Sequence, residues 1–241
     1  MASMANLIKT NISSIDRLLG GGVPAGSQII LAGGPGSGKT LIAFEYLYRG
    51  AKNGEIGIFF SFNEDTALLL RGIKDSLSEL TDIDQLIADK KIVIFGYEET
   101  KTFMQKGSES TNYAFTGMIS QLQSRIDDYH ATRVVIDSLS YIRLYSKDPF
   151  EYRNLSTSLL VILGRQHVTS IITTELHSHS FEPQQEFYIY DGLILLERDS
   201  QDERSSKPTF QIVKLRGASH PHGPIPYQLT SSGLKINVSE G

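Results

Sequence analysis

Short apolar runs alternate with longer amphipathic stretches through most of the chain. Short runs bounded by turn residues are typical of buried strands, whereas apolar residues recurring every three or four positions favour helices. The predicted strands lie near residues 28–32, 56–62, 92–95, 133–137 and 168–174. The predicted helices lie near residues 41–47, 65–78, 112–130 and 150–165. This alternating order predicts crossover connections and a mostly parallel sheet with helices on both faces.

The pattern changes after residue 190, where apolar segments follow one another with turns between them. These segments lie at residues 192–196, 209–215, 226–229 and 234–238, and the polar stretch at 199–208 is predicted to be a hairpin tip. Successive strands joined by short turns pair antiparallel. We therefore predict an α/β fold with a mostly parallel sheet flanked by helices and a C-terminal antiparallel extension of the same sheet.

Composition limits the domain organisation and the class of partner. A chain of 241 residues with 40% hydrophobic content suits a single domain over residues 1–241, with a core at about 8–238. No apolar run approaches the roughly 18 residues of a membrane span, and no signal-peptide pattern opens the chain, so we expect a cytoplasmic protein without membrane association. The net charge of −4 provides no general attraction to nucleic acid, and the absence of cysteine excludes disulfides and thiolate metal sites.

A complete phosphate-binding motif lies between the first buried strand and the helix that follows it. Residues 33–40 fit the pattern G-x-x-x-x-G-K-[ST] at every fixed position. Glycines let backbone N–H groups surround the phosphates, and the start of the helix adds partial positive charge. The motif therefore predicts binding of a nucleoside triphosphate. The predicted nucleotide-binding residues are Gly34, Pro35, Gly36, Ser37, Gly38, Lys39, Thr40 and Leu41.

Two residues of this motif and one distant carboxylate have predicted chemical roles. Lys39 is predicted to contact the β- and γ-phosphates, and the Thr40 hydroxyl to bind the Mg²⁺ that bridges them. The strand at 133–137 ends in Asp137, a pattern that holds Mg²⁺ opposite a phosphate loop but is also typical of a helix cap. The phosphate loop upstream favours the metal interpretation, so Thr40 and Asp137 form the predicted metal site.

A candidate catalytic base follows the second predicted strand, where the sequence reads Asn63, Glu64 and Asp65. ATP hydrolysis needs a group that orients or deprotonates the attacking water, and Glu64 is placed to do so. The other interpretation is that Glu64 and Asp65 are solvated acids in the first turn of the next helix. The residues alone support both interpretations equally.

Lys214 and Arg216 alternate with apolar residues in the segment at 209–215 and just after it, so both leave one face of a strand. Two adjacent cations are often a solvated sheet edge. They can also stabilise the triphosphate of a neighbouring subunit in the transition state, as an arginine finger does. We name both as candidate catalytic residues.

Together these residues resemble the KaiC-like branch of the RecA-type P-loop ATPases over nearly the whole chain. Residues 12–24 are similar to the N-terminal signature of that family, and residues 173–175 to the end of its sensor strand. Residues 214–220, KLRGASH, are similar to its C-terminal K-L-R-G-x-x-H segment. The resemblance implies a single RecA-like domain of the archaeal and bacterial type, with ATP and Mg²⁺ as cofactors. It also implies a homo-oligomeric ring, usually of six subunits, in which Lys214 and Arg216 reach the next subunit's nucleotide.

The chain departs from the family at the position of the base. The family has two consecutive glutamates after the second strand, and here the first of them is replaced by Asn63. An amide cannot accept a proton as a carboxylate does. We therefore expect an ATPase in which Glu64 substitutes or hydrolysis is slow. The Ser-Thr pair that is phosphorylated in clock proteins is missing from residues 186–190, so we do not expect autophosphorylation.

Three functions are compatible with these residues: a ring ATPase that regulates an unidentified protein client, a DNA-binding recombinase paralogue, and an ATP-dependent scaffold with little turnover. Recombinases of this fold bind DNA through basic, flexible loops. Two loops are predicted at the corresponding positions of this chain: the loop at residues 175–191 contains four acids and no Lys or Arg, and the loop at residues 143–147 contains only two basic residues. The sequence therefore favours the regulatory ATPase, and nucleic acid is not an expected partner.

Overall fold

The computed structural model describes residues 6–105, 111–146, 148–176, 185–197 and 207–237. The helices are α1 (Ser13–Leu18), α2 (Lys39–Lys52), α3 (Thr66–Ser76), α4 (Ile83–Ala88), α5 (Tyr97–Gln105), α6 (Thr111–Tyr129), α7 (Leu139–Tyr145) and α8 (Pro149–Arg165). The strands are β1 (Leu7–Ile8), β2 (Val23–Pro24), β3 (Gln28–Gly33), β4 (Gly57–Ser61), β5 (Ile92–Phe95), β6 (Arg133–Asp137), β7 (Thr169–Glu175), β8 (Gly192–Glu197), β9 (Thr209–Leu215), β10 (Ile225–Thr230) and β11 (Gly233–Ile236). A 3₁₀ helix covers Gln185–Ile189.

Nine strands of the described chain form one sheet in the order β11-β10-β9-β8-β3-β7-β6-β4-β5. All pairs from β8 to β5 are parallel, and β9, β10 and β11 extend the sheet by antiparallel pairing. The predicted fold class is confirmed. One detail differs, because β8 runs parallel to β3, with Ile29 opposite Gly192, and the antiparallel part begins only at β9. An apolar run does not reveal strand direction, and the connection from β7 to β8 is long enough for a crossover.

Helices cover both faces of this sheet and bury two apolar clusters. Side chains of β3 alternate between them: Ile29 and Leu31 join the cluster beneath α2 and α3, whereas Ile30 and Ala32 join the cluster beneath α6 and α8. This is the two-residue period of a strand whose faces are both covered. Every residue of β3, β4 and β6 is buried, which explains why their sequences read as continuous apolar runs.

Most predicted elements begin and end within two residues of their predicted bounds, but α2 continues to Lys52, beyond the predicted end at residue 47. Several short elements were not predicted. These are the helices α1, α4, α5 and α7 and the small β1–β2 sheet. Residues 143–145, predicted as part of a loop, belong to α7. Lys147 and most of the predicted hairpin tip lie outside the described residues. None of the helices described here combines the length and apolar character that crossing a bilayer requires.

Arg133 is fully buried at the start of β6 and fastens the N-terminal segment to the sheet. Its guanidinium group donates hydrogen bonds of 2.7 to 2.8 Å to the carbonyls of Lys9, Thr10 and Tyr46. It also donates to both carboxylate oxygens of Glu55, at 2.6 and 2.7 Å. A buried guanidinium is tolerated because its donors and its charge are satisfied in this way.

Candidate nucleotide-binding site

The predicted phosphate loop lies at the carboxyl end of β3, between Gly33 and the first residue of α2. Gly36 and Gly38 adopt left-handed backbone angles, with φ of 72° and 86°. A Cβ added at Gly38 would lie 1.9 Å from Cδ1 of Leu229 on β10. The motif therefore needs glycine at position 38 for two reasons: the backbone conformation and the close approach of β10.

Lys39 lies within the loop, and its side chain is 9% exposed. Its Nζ donates hydrogen bonds of 2.9 Å to the carbonyl oxygens of both Gly33 and Gly34. Burial lowers the pKa of Lys39, and the negative charges of Glu175 and Asp137 oppose that shift. The ammonium group is thus held over the glycines by neutral acceptors and by nearby carboxylates.

The structure brings Thr40 and Asp137 together, as the metal-site prediction requires. Thr40 Oγ1 donates a 2.8 Å hydrogen bond to Oδ2 of Asp137, and the hydroxyl of Thr173 on β7 donates to the other carboxylate oxygen. Burial raises the pKa of Asp137, while the hydrogen bonds from Thr173 and Thr40 lower it. Ser138 is the N-cap of α7. Among the described contacts, the Asp137 carboxylate accepts hydrogen bonds from Thr40 and Thr173 and none from the first turn of α7.

Glu64 lies beside Asp137 because β4 and β6 are neighbours, with Ser61 opposite Asp137. Ser61 Oγ donates to the carbonyl of Glu64 at 2.8 Å and accepts from its N–H at 3.2 Å, which fixes the backbone there. Partial burial and then the charge of Asp137 raise the pKa of Glu64. Asp65 is the N-cap of α3, so Glu64 precedes the helix and is not one of its first-turn acids.

Asn63, the residue before Glu64, lies at the surface and contacts Ser138. Its side chain is exposed, and Nδ2 donates a 3.1 Å hydrogen bond to the hydroxyl of Ser138. The amide therefore contacts the residue after Asp137, close to the predicted metal ligands but without a proton-accepting group.

Lys214 and Arg216 share one acceptor, the carbonyl oxygen of Tyr188. Lys214 Nζ donates to this oxygen at 2.9 Å and to the carbonyl of Tyr190 at 2.5 Å, and Arg216 Nη2 donates to it at 3.0 Å. The side chain of Arg216 is 57% exposed, and its Nη1 lies 3.8 Å from the carboxylate of Asp191. Partial burial, and next the charge of Arg216, lower the pKa of Lys214.

The structure does not place these two cations near the phosphate loop of the same chain. The backbone N–H of Arg216 bonds to the carbonyl of Asp191, whose own N–H bonds to the carbonyl of Gln28. Gln28 begins β3, whereas the loop follows its last residue, Gly33. Five steps of about 3.3 Å separate these two ends of the strand by roughly 16 Å.

The family model for the ATPase KaiC matches residues 8–241. The chain belongs to the KaiC family of ATPases. The resemblance derived from the sequence is thereby confirmed.

Individual KaiC relatives match most of the chain at moderate sequence identity. The chain is 30% identical over 236 residues to the circadian clock oscillator protein KaiC of Picosynechococcus, which covers 95% of the chain and 44% of that protein. It is 28% identical over 236 residues to the circadian clock protein KaiC2 of Synechocystis, covering 96% of the chain and 40% of the relative. The chain thus spans less than half the length of these curated KaiC proteins. A KaiC-like protein from Pyrococcus horikoshii superposes with a TM-score of 0.80 at 26% identity, covering 97% of the chain and 100% of that structure.

Some residues of this KaiC-family site were not predicted from the sequence. Tyr227 on β10 donates its hydroxyl to the carbonyl of Ser37 at 2.7 Å, although the two residues lie 190 positions apart. Leu229 contacts Gly38 from the same strand, and Thr173 holds Asp137. Thr173 could have been predicted as a partner of Asp137, because it is a polar residue near the end of a buried strand that pairs with the strand of Asp137. No local pattern reports that β10 packs on the phosphate loop.

Proposed function

We propose that this KaiC-family chain binds ATP at residues 34–41 and hydrolyses it slowly to ADP and phosphate. The observation that carries the proposal is the hydrogen bond between Thr40 and Asp137 beside the ammonium group of Lys39. A Mg²⁺·triphosphate needs a hydroxyl, a carboxylate and a cation close together, and these three residues supply them.

These residues fit the metal that the family implies. Mg²⁺ prefers oxygen ligands, and the Thr40 hydroxyl and the Asp137 carboxylate supply them within 2.8 Å of each other. When bound, Mg²⁺ would neutralise charge on the β- and γ-phosphates. Lys39 would then exchange its contacts with the loop carbonyls for contacts with phosphate oxygens.

Glu64 is the proposed base of the hydrolysis step. Its carboxylate would accept a proton from the attacking water, or orient that water, next to the proposed metal site. Its backbone is fixed by Ser61, and its raised pKa makes it a stronger base than an ordinary glutamate. Because Asn63 replaces the first glutamate of the family pair, we infer slow turnover.

We further propose that the working form is a ring, usually of six copies, with the nucleotide between subunits. The support is the position of Lys214 and Arg216 at the opposite end of β3 from their own phosphate loop. The exposed guanidinium of Arg216 would meet a triphosphate held by a second copy of the chain. In this proposal the ring regulates a protein client.

The decisive experiment measures size and turnover on the same samples. Light scattering after size exclusion, with and without Mg·ATP, is combined with an assay of released phosphate. ATP-dependent assembly with slow phosphate release supports the proposal. Assembly without release supports the scaffold, and a monomer that neither assembles nor releases phosphate contradicts both.

The recombinase alternative is tested by DNA binding. At physiological salt we expect single- and double-stranded DNA to bind only in the weak non-specific range, with a Kd of about 10⁻⁴ to 10⁻⁶ M. The acidic composition of residues 175–191 supports this expectation. A salt-sensitive nanomolar complex would favour the recombinase.

A further inference from the structure

A cavity lies away from the phosphate loop. It has a volume of about 430 Å³ and opens between α1, the middle of α2 and β11. None of residues 33–40 is among those that line it. The volume falls in the range of roughly 300 to 1,000 Å³ that small-molecule sites occupy.

Among the described residues, three cationic side chains line this cavity: Arg17 from α1, Arg49 from α2 and Lys235 from β11. Glu45 is the one acid among the lining residues that the structure describes, and its carboxylate pairs with Arg49 at 3.0 Å. The side chains of Arg17 and Lys235 make no hydrogen bond or ion pair with any described residue. Two positive charges at the cavity therefore have no partner in the described part of the chain.

Hydrogen bonds fix the part of the cavity wall that contains Glu45 and Arg49, whereas Arg17 and Lys235 are exposed. Glu45 is 2% exposed and accepts hydrogen bonds from the N–H of Leu234 at 2.7 Å and from Nε and Nη2 of Arg49. Arg49 Nη2 also donates to the carbonyl of Ser232 at 2.6 Å. Gly233 has φ of 117°, and a Cβ there would lie 2.1 Å from the Glu45 carboxylate. The guanidinium of Arg49 is thus preorganised, and its Nη1 has no partner among the described residues.

We propose that this cavity is a second anion site, which binds a phosphate-bearing small molecule independently of the phosphate loop. Guanidinium groups match the geometry of phosphate oxygens, and a Lys ammonium adds a point charge. Asn11, Ser13 and Asn237 also line the cavity, and these residue types carry neutral donors. The apolar residues Ile12 and Ile236 also line the cavity, which suits a ligand with a non-polar part.

The test uses pyrophosphate as the probe and isothermal titration calorimetry in metal-free buffer at low salt. The titration is made on Lys39→Ala, in which the phosphate loop is disabled, and on Lys39→Met in case the first variant does not fold. We expect saturable binding of one pyrophosphate per chain that weakens as salt is raised. Adding Arg17→Ala and Lys235→Ala should weaken it at least about tenfold, because two charge-assisted contacts are lost.

The matched control removes one arginine and one lysine elsewhere. Arg71→Ala with Lys74→Ala changes the net charge by the same amount on α3, where neither residue lines the cavity. This pair should leave the pyrophosphate affinity within about twofold, since only long-range charge is lost. The proposal is overturned if neither Lys39 variant binds pyrophosphate, or if the control pair weakens binding as much as the cavity pair does.

Discussion

Thr40 and Asp137 lie 97 positions apart in the chain, and the hydroxyl of one donates a 2.8 Å hydrogen bond to the carboxylate of the other. This contact joins the first turn of α2 to the end of β6. Thr173 occupies the second carboxylate oxygen, so the carboxylate also ties β7 to the phosphate loop. A metal that binds Thr40 and Asp137 would therefore act at the point where helix α2 meets strands β6 and β7.

Replacing Asp137 with Asn tests its role as a metal ligand. We expect Asp137→Asn to retain nucleotide binding in part while its dependence on Mg²⁺ weakens about tenfold or more, because an amide is a poor ligand for this cation. Fluorescent-nucleotide binding titrated with Mg²⁺ measures the change. Asp75→Asn, on the exposed surface of α3, is the control. An unchanged metal titration would mean that Asp137 is not a ligand.

Replacing Lys39 with Ala tests the position of the nucleotide. The ammonium group is the cation held inside the loop, and hydrogen bonds to charged groups contribute about 1.5 to 3 kcal/mol each. Loss of contacts to two phosphates should weaken ATP binding at least about a hundredfold. Calorimetry with Mg·ATP measures it, with the exposed Lys207→Ala as control. Retained affinity would place the nucleotide elsewhere.

The sequence was most informative where a local pattern matches the tertiary environment. Strands β3, β4 and β6 are buried on both faces, so continuous apolar runs predicted them. The phosphate loop was predicted from its glycines, two of which have the left-handed backbone angles that glycine favours. The direction of β8 was not predictable, because an apolar run reads the same in both orientations. Contacts such as Tyr227 with Ser37 also escaped, since they depend on how distant strands pack.

Glu64 should give the hydrolysis rate its dependence on pH. Partial burial and the charge of Asp137 raise the pKa of Glu64 above its usual 4.5. In weakly acidic solution more of this carboxyl group is therefore protonated and cannot act as a base. The rate should rise as pH passes through the raised pKa and then reach a plateau. Glu64→Gln should remove this acid limb and lower the rate by about 10²- to 10⁴-fold. Phosphate release measured across pH, with the exposed Glu98→Gln as control, makes the comparison.

Substitution of Asn63, the residue before Glu64, tests the opposite effect on the hydrolysis rate. Asn63→Glu restores a carboxylate where the family has one, and it should raise hydrolysis without altering assembly. Asn63→Ala removes the same hydrogen bond to Ser138 and should bring no such gain. Equal rates in the wild type and Asn63→Glu would show that Asn63 does not limit turnover.

Arg133→Ala should destabilise the fold strongly. It leaves the carbonyls of Lys9, Thr10 and Tyr46 and the Glu55 carboxylate without their donor, and it opens a cavity beneath α2. We expect a loss of about 3 kcal/mol or more, which corresponds to roughly 6 to 12 °C in Tm for a chain of this size. Thermal unfolding followed by circular dichroism measures it. Glu55→Gln keeps an acceptor for Arg133 and should cost less, so an equal loss in both variants would contradict this account.

The ring proposal requires Arg216 to act on a neighbouring subunit, because about the length of β3 separates it from its own phosphate loop. Arg216→Ala should remain folded and bind ATP, but hydrolyse it slowly and form rings less readily. Phosphate release and light scattering measure both effects. If the variant hydrolyses ATP at the wild-type rate, Arg216 has no part in catalysis.

Mixing variants separates action in trans from action within one chain. Arg216→Ala subunits lack the finger and Lys39→Ala subunits lack a working phosphate loop, so only a mixed ring contains an interface with both intact. The mixture should recover part of the wild-type activity, measured with an assay sensitive well below the usual enzyme range of about 1 to 10³ s⁻¹. Mixed rings are verified first by light scattering with one variant carrying a tag. Action in trans is falsified if such rings form, the wild type is active, and the mixture stays as inactive as either variant alone.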